Sequence, residues 1–342
     1  MKRFFKVLAV AALIAALLSL SGAAMGETHV AALKGPTGMG MAHMIENNDG
    51  SYAFTLAGAP DELTGGIING SIDIAAVPTN LAAVLYNKTK GGVKMLALNT
   101  LGVLYVLEKG DTVHSAADLT GKTIVSSGQG STPDYVLNYI LKVNGVTDAV
   151  IDWRSEHSEV NGMAVSGRAD IVMLPEPYVT ALLAKDASFR VALDLTEAFS
   201  AAAQMDGKAD AVLSMGCVIA RTKFIEENPD AVKAFMADCA ASIQYTVDEP
   251  DKAAEEIAAA GVMASAAVAR SALPKCHLTF IAGGMMRGQI EPLFNIFFEN
   301  NPASVGGALP GEDFYYIAPS QAFCGRQGAC HRLWSKETSY KE

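Results

Sequence analysis

An apolar run, Val30-Ala31-Ala32-Leu33, ends in a Gly/Pro turn, Gly35-Pro36-Thr37-Gly38, which opens onto a stretch that reads as a helix. Strand, glycine turn, helix leaves backbone N–H groups unpaired at the helix start, where the positive end of the helix dipole also points. Such a turn suits an anion or another hydrogen-bond acceptor. The arrangement recurs at 122–127, where Gly128-Gln129-Gly130-Ser131-Thr132-Pro133 leads into a second helical stretch. Two such units predict two lobes, each aiming one turn at a shared cleft.

The rest of the chain fits that reading. Short apolar runs at 28–33, 52–56, 72–77 (broken only by Asp73) and 93–98 alternate with helical patterns at 37–47, 61–69 and 81–87, the second of these capped by Asp61. A second series follows, with strands at 122–127, 150–153, 169–174 and 190–195. Continuous rather than alternating hydrophobicity predicts strands covered on both faces, as in mostly parallel sheets flanked by helices. From Asn228 the pattern is helical, at 229–247, 250–260, 264–273 and 288–300. Long apolar connections at 101–109 and 210–220 predict lobe divisions near residues 110 and 210. The first lobe then comprises 27–110 and 211–316, and the second 111–210.

Before residue 27 lies MKRFFK, then an unbroken apolar run over 7–20, then small residues to Gly26. This is the three-part pattern of an export signal cleaved near Ala24–Gly26, since the run is shorter than the roughly 20 residues that span a bilayer. The lipobox-like Leu20-Ser21-Gly22-Ala23 has Ala where a lipidated Cys would stand. The chain of 342 residues has a net charge of −10, which argues against nucleic acid or an anionic membrane surface as partner. Its five cysteines are odd in number and scattered, so no disulfide framework and no metal site is expected. The tail from 317 is polar and aperiodic and reads as a disordered extension.

In order, VAALKGPTGMGM, LAGAPDELTGGIINGSIDIAAVPTNLAAVLYN, DLTGKTIVSSGQGSTPDYVLNYIL, ADIVMLPEP, ARTKFIEENPDAVKAFM and NPASVGGALP follow one another. Together they resemble the substrate-binding proteins of bacterial ABC importers, in the sulfonate/nitrate/thiamine-pyrimidine-precursor clan. The resemblance implies a type II periplasmic-binding fold: two α/β lobes, two crossovers and a ligand held between closing lobes. It also implies the partners, a small-molecule ligand and an ABC permease with its ATPase. A monomer is expected, with no cofactor.

A binding cleft needs convergent polar groups rather than a catalytic constellation. The candidate ligand-binding residues are Gly35, Thr37, Gly38 and Met39 from the first turn, Gly130, Ser131 and Thr132 from the second, and Asn80 and Glu176 at other strand ends. Ligands of such sheets bind at the carboxyl ends of the strands. The expected ligand is small and polar or anionic, such as a sulfonate or carboxylate, with a neutral heterocycle stacked on Tyr135 or Trp153 as the alternative. His157, beside Glu156 and Glu159, reads as part of a solvated loop. No GxxxxGK[ST] is present, so nucleotide hydrolysis is not supported. The rival classes are an enzyme on the same fold, of pyrimidine-precursor synthase or dehydratase type, and an exported sensory or adhesion module.

Overall fold

The structure is a computed structural model and describes residues 27–318. The export signal, and the tail from Pro319 with Cys324 and Cys330, lie outside the described residues. Eleven strands form two sheets: β1 (Thr28–Leu33), β2 (Tyr52–Ala57), β3 (Ile74–Pro78), β4 (Val93–Leu101), β5 (Leu104–Glu108), β6 (Thr123–Ser127), β7 (Val150–Arg154), β8 (Ile171–Pro175), β9 (Arg190–Asp194), β10 (Ser214–Arg221) and β11 (Leu278–Ala282). The first sheet has the order β11-β4-β10-β3-β1-β2 and the second β7-β6-β8-β5-β9. In the first sheet β1, β2, β3 and β4 run one way, with β10 and β11 opposed. In the second, only β5 opposes the other four. Both sheets are therefore mostly parallel by strand direction, and helices flank them.

We take the sheets as the cores of the two lobes. The chain first passes between them at Gly102-Val103, because β5 already pairs with β8 and β9. That point lies a few residues ahead of the expected division near 110. The return falls between β9 and β10, a span that contains residue 210.

Largely apolar strands are buried on both faces: all of β3, all of β5, and all of β1 but one residue. The charge at Asp73 is accommodated because Arg221 pairs with it and the His29 N–H donates to it at 3.0 Å. Prolines open several helices, as at Pro60–Asn69, Pro229–Asp248 and Pro250–Ala259, where the missing N–H removes no helical bond.

Three sequence readings change. The expected helix over 37–47 is two pieces, Pro36–Met39 and Ala42–Glu46. The break at Gly40 lets the helix Pro229–Asp248 come close, and Ser242 Oγ repairs it by donating to the Gly40 carbonyl at 2.7 Å and accepting from the Met44 N–H at 3.2 Å. Asp61 sits in the first turn of its helix rather than at the cap, and Glu62 instead accepts the Ala59 N–H at 2.9 Å. Three helices, Tyr178–Lys185, Leu195–Met205 and Thr222–Glu227, and strand β11 have no counterpart in the sequence reading, and the last long helix begins earlier, as Gly283–Asn300.

Candidate functional site

The carboxyl ends of β1, β2 and β3 in one sheet approach those of β6, β7 and β8 in the other. The meeting points are specific. Gly35 has φ +97, a value that favours glycine, and a Cβ placed there would lie 3.6 Å from the Tyr178 ring of the second lobe. A Cβ at Gly58, after β2, would lie 3.6 Å from Glu156 Oε1, after β7. Asn80, after β3, is buried and reaches the second lobe directly. Its side-chain carbonyl accepts from the Thr132 hydroxyl at 3.1 Å, and its amide donates to the Gly130 carbonyl at 3.4 Å and the Ser304 carbonyl at 3.2 Å. Glu176, after β8, lies 3.9 Å from Lys275 Nζ of the first lobe.

The candidates do different things within this cleft. Thr37 is buried, its carbonyl accepts from Asn99 Nδ2 at 3.0 Å, and among the described residues its hydroxyl makes no hydrogen bond. Gly38 and Met39 both donate their N–H groups to the Gly35 carbonyl at 3.1 Å, so the first turn keeps those donors for itself. The Met39 side chain is fully buried against Ala253, Ile257 and Cys276, a core position rather than a cleft wall. In the second turn the Gly130 N–H is held by the Asp134 carboxylate at 2.8 Å and the Ser131 N–H by the Gly128 carbonyl at 3.0 Å. The Thr132 hydroxyl is occupied by Asn80. Four of the backbone donors of the two turns, those of Gly38, Met39, Gly130 and Ser131, are therefore taken within the chain.

Glu176, a candidate ligand contact, is turned to another use. The buried Glu176 carboxylate accepts the Thr180 N–H and hydroxyl, each at 3.0 Å, and so caps the helix Tyr178–Lys185. Burial pushes its carboxyl up from the usual range, while the Thr180 bonds and Lys275 pull it down. Burial likewise raises Asp134 against its bonds to Gly130 and Asn138. Glu156 lies at the cleft beside Gly58, and the nearby cation Lys275 is matched by the buried Glu176. This is a poor setting for an anion.

His157 is not in a solvated loop. Its Nδ1 lies 2.5 Å from Ser127 Oγ at the end of β6, and its ring centroid is 5.0 Å from that of Tyr178. Burial pushes the imidazole down to about 4, with Glu156 opposing, so the ring is neutral at ordinary pH. Tyr178 is the aromatic side chain of the cleft. Tyr135 instead packs 5.8 Å from Phe297, on a groove of about 300 Å³ between the helices Thr132–Val143 and Gly283–Asn300. Trp153 packs on the core. Sequence reasoning missed Ser127, His157 and Tyr178. Their signal was positional: each follows or ends a strand of the second sheet.

Beneath the first turn lies a buried polar platform of Thr79, Asn99, Thr100 and Ser214. Thr79 Oγ1 is 3.1 Å from Ser214 Oγ, and Thr100 Oγ1 donates to Asn99 Oδ1 at 3.3 Å. Among the described residues no group of three or more His, Cys, Asp or Glu is placed to hold a metal ion, and no helix is long and apolar enough to cross a membrane.

Residues 93–253 match the family model described as NMT1/THI5 like. No curated protein matches the sequence. Among solved structures, an ABC transporter protein from Parabacteroides distasonis is similar at 22% identity and TM-score 0.71, covering 86% of this chain and 99% of its own. The periplasmic aliphatic sulphonate binding protein SsuA from Escherichia coli gives 16% and 0.64, with 86% and 96% covered. The alkanesulfonate-binding protein SsuA from Xanthomonas axonopodis pv. citri, bound to MOPS, gives 15% and 0.62, with 83% and 94% covered. At these identities the likeness is one of fold. By its two-lobed type II periplasmic-binding fold, and over 93–253 by family, the chain is similar to the periplasmic substrate-binding proteins of ABC importers in the sulfonate/nitrate/thiamine-precursor clan.

Proposed function

We propose that this chain is the exported substrate-binding component of an ABC importer, capturing a small polar molecule between closing lobes and handing it to a membrane permease. The observation that carries the reading is the direct polar contact between strand ends of the two sheets, Asn80 on Thr132 above all. Those groups meet only when the lobes are shut, so closure is a state with its own contacts that a ligand can favour. The ligand we favour is uncharged, with a flat ring against Tyr178 and hydrogen bonds to the Thr37 hydroxyl and the Ser127–His157 pair. Sulfonates and carboxylates rank below it, because the Gly38, Met39, Gly130 and Ser131 N–H groups are taken within the chain and the Glu156 carboxylate lies at the cleft. The protein acts as a binder, not an enzyme. Its described cysteines, Cys217, Cys239 and Cys276, are buried, and burial raises their thiols away from the reactive thiolate form.

A thermal-shift screen followed by calorimetry tests this. Neutral heterocycles should raise the melting temperature, by the equivalent of about 2.7 kcal/mol at a hundredfold excess over Kd. Stabilisation by sulfonates alone would overturn the ligand assignment. Conversion of a bound compound by the purified protein would favour the enzyme reading. Export has a separate test: N-terminal sequencing of the secreted form should find a start close to residues 25–27, and a mature form that retains Met1 contradicts it.

A further inference from the structure

We infer that the groove between the helices Thr132–Val143 and Gly283–Asn300 is a second binding site, separate from the cleft, and that it takes a small aromatic carboxylate. Tyr135, Asn138, Tyr139 and Lys142 stand three and four residues apart on the first helix, so they share one of its faces. Phe297 and Asn300 line the groove from the second helix. The groove has a volume of about 300 Å³, at the low end of the range for small-molecule sites. It has the usual make-up of such a site, aromatic walls with a few polar groups, and the usual place, a junction between two structural units.

The chemistry of the lining selects the occupant. The rings of Tyr135 and Phe297 are 5.8 Å apart and tilted by 50°, too close to admit a third ring between them, so a flat molecule lies along them. Asp134 and Lys142 mark the two ends, about 12 Å apart along the helix. The Asp134 end is satisfied from within: its carboxylate accepts from the Gly130 N–H at 2.8 Å and from the Asn138 amide. The Lys142 end is not. Its ammonium donates to Asn300 Oδ1 at 2.7 Å, a neutral oxygen, and an ammonium has three donors to give. Asp206, whose field reaches Lys142, is already matched by Lys208 and by the Tyr139 hydroxyl. A ring carrying a carboxylate fits this lining, with its charge on Lys142 and its ring on the aromatic walls.

The groove does not depend on closure of the cleft. Its Lys142 end lies where the chain returns from one lobe to the other. There the Tyr139 hydroxyl donates to Asp206 at 3.2 Å, Asp206 pairs with Lys208, and Lys208 Nζ lies 2.7 Å from Glu299 Oε2 on the second helix. The Tyr139 ring packs 5.5 Å from that of Phe199, in an apolar core that also holds Phe297 and Leu213. This flank is tied by the chain itself as well as by contacts. Rigid lobes that part about such a crossing move least beside it, so the two helices stay together here while the cleft opens.

Benzoate is the probe, titrated into the full chain by ligand-observed nuclear magnetic resonance and calorimetry. A ligand of this size should bind with a Kd of about 1–10 mM. Acetate should bind at least about tenfold more weakly, because it brings the charge without the ring. Lys142→Gln should weaken benzoate by about tenfold or more. Lys142 is exposed, so that variant keeps the core intact and should melt with the wild type. Absence of benzoate binding to the wild type, acetate binding as tight as benzoate, or a benzoate affinity unchanged in Lys142→Gln would each overturn the proposal. The cleft takes no part in the assignment, so a failed screen for its ligand, which would count against the importer reading, leaves this result standing or falling by itself.

Discussion

Gly216→Ala is expected to lower the melting temperature of the ligand-free protein by several degrees, a loss of about 1–3 kcal/mol. Gly216 lies in β10 between β3 and β4, paired with Pro78 on one side and Thr100 on the other, where the β4 register shifts. A Cβ there would fall 2.3 Å from Thr37 Cγ2, 2.7 Å from Asn99 Oδ1 and 3.3 Å from Thr100 Oγ1. None of these atoms is the free end of a long side chain. Thr37 is held by Asn99, and Asn99 by Thr100, in a buried network. Any shift that makes room must pull Asn99 off the Thr37 carbonyl, so the turn that faces the cleft moves with it. Ligand affinity should fall together with stability. Gly162→Ala is the control: Gly162 is exposed in the helix His157–Val165, and a Cβ there meets nothing within 4 Å. It should be neutral or stabilising by about 0.5–1 kcal/mol. Calorimetric melting of the two variants decides the matter, and a Gly216→Ala protein as stable as wild type would show that the platform is soft.

The contrast between those two glycines shows what the sequence makes legible. Strands β1 and β3 could be read because burial on both faces requires continuous apolar runs, and the turns after them because Gly35-Pro36 and Pro78 stop a strand. The two-lobe plan followed from the repetition of that unit. The importance of Gly216 could not be read, because it arises only when β10 is threaded antiparallel between β3 and β4, far along the chain from Thr37 and Asn99. His157 was misread for a related reason. Its neighbours Glu156, Ser158 and Glu159 are exposed, and only the helix register that begins at His157 turns the ring inward onto Ser127. The expectation of an anion meets a local competition. A glycine turn at a helix start offers donors only if nothing in the chain takes them, and here Asp134 and the carbonyls of Gly35 and Gly128 do.

Thr132→Val is expected to weaken ligand binding by roughly 10- to 100-fold while leaving the melting temperature of an open, ligand-free protein little changed. The substitution keeps the shape and removes the hydroxyl. In the shut form that hydroxyl donates to Asn80 Oδ1 at 3.1 Å and lies 3.4 Å from the Asn80 N–H. Both Asn80 groups are then buried without a partner, a penalty of about 1–3 kcal/mol. With the lobes apart, water solvates the same groups, so the penalty falls on closure alone and appears in affinity. Ser131→Ala should leave the Asn80–Thr132 bond intact and serves as the control for it. A double-mutant cycle with Asn80→Ala makes the test specific: the two losses should be non-additive by about 0.5–3 kcal/mol, since each variant removes the same bond. Additive losses would mean that Asn80 and Thr132 act on the ligand separately. Unchanged affinity in Thr132→Val would mean that the second turn is only a helix start, and that the lobes close on other contacts.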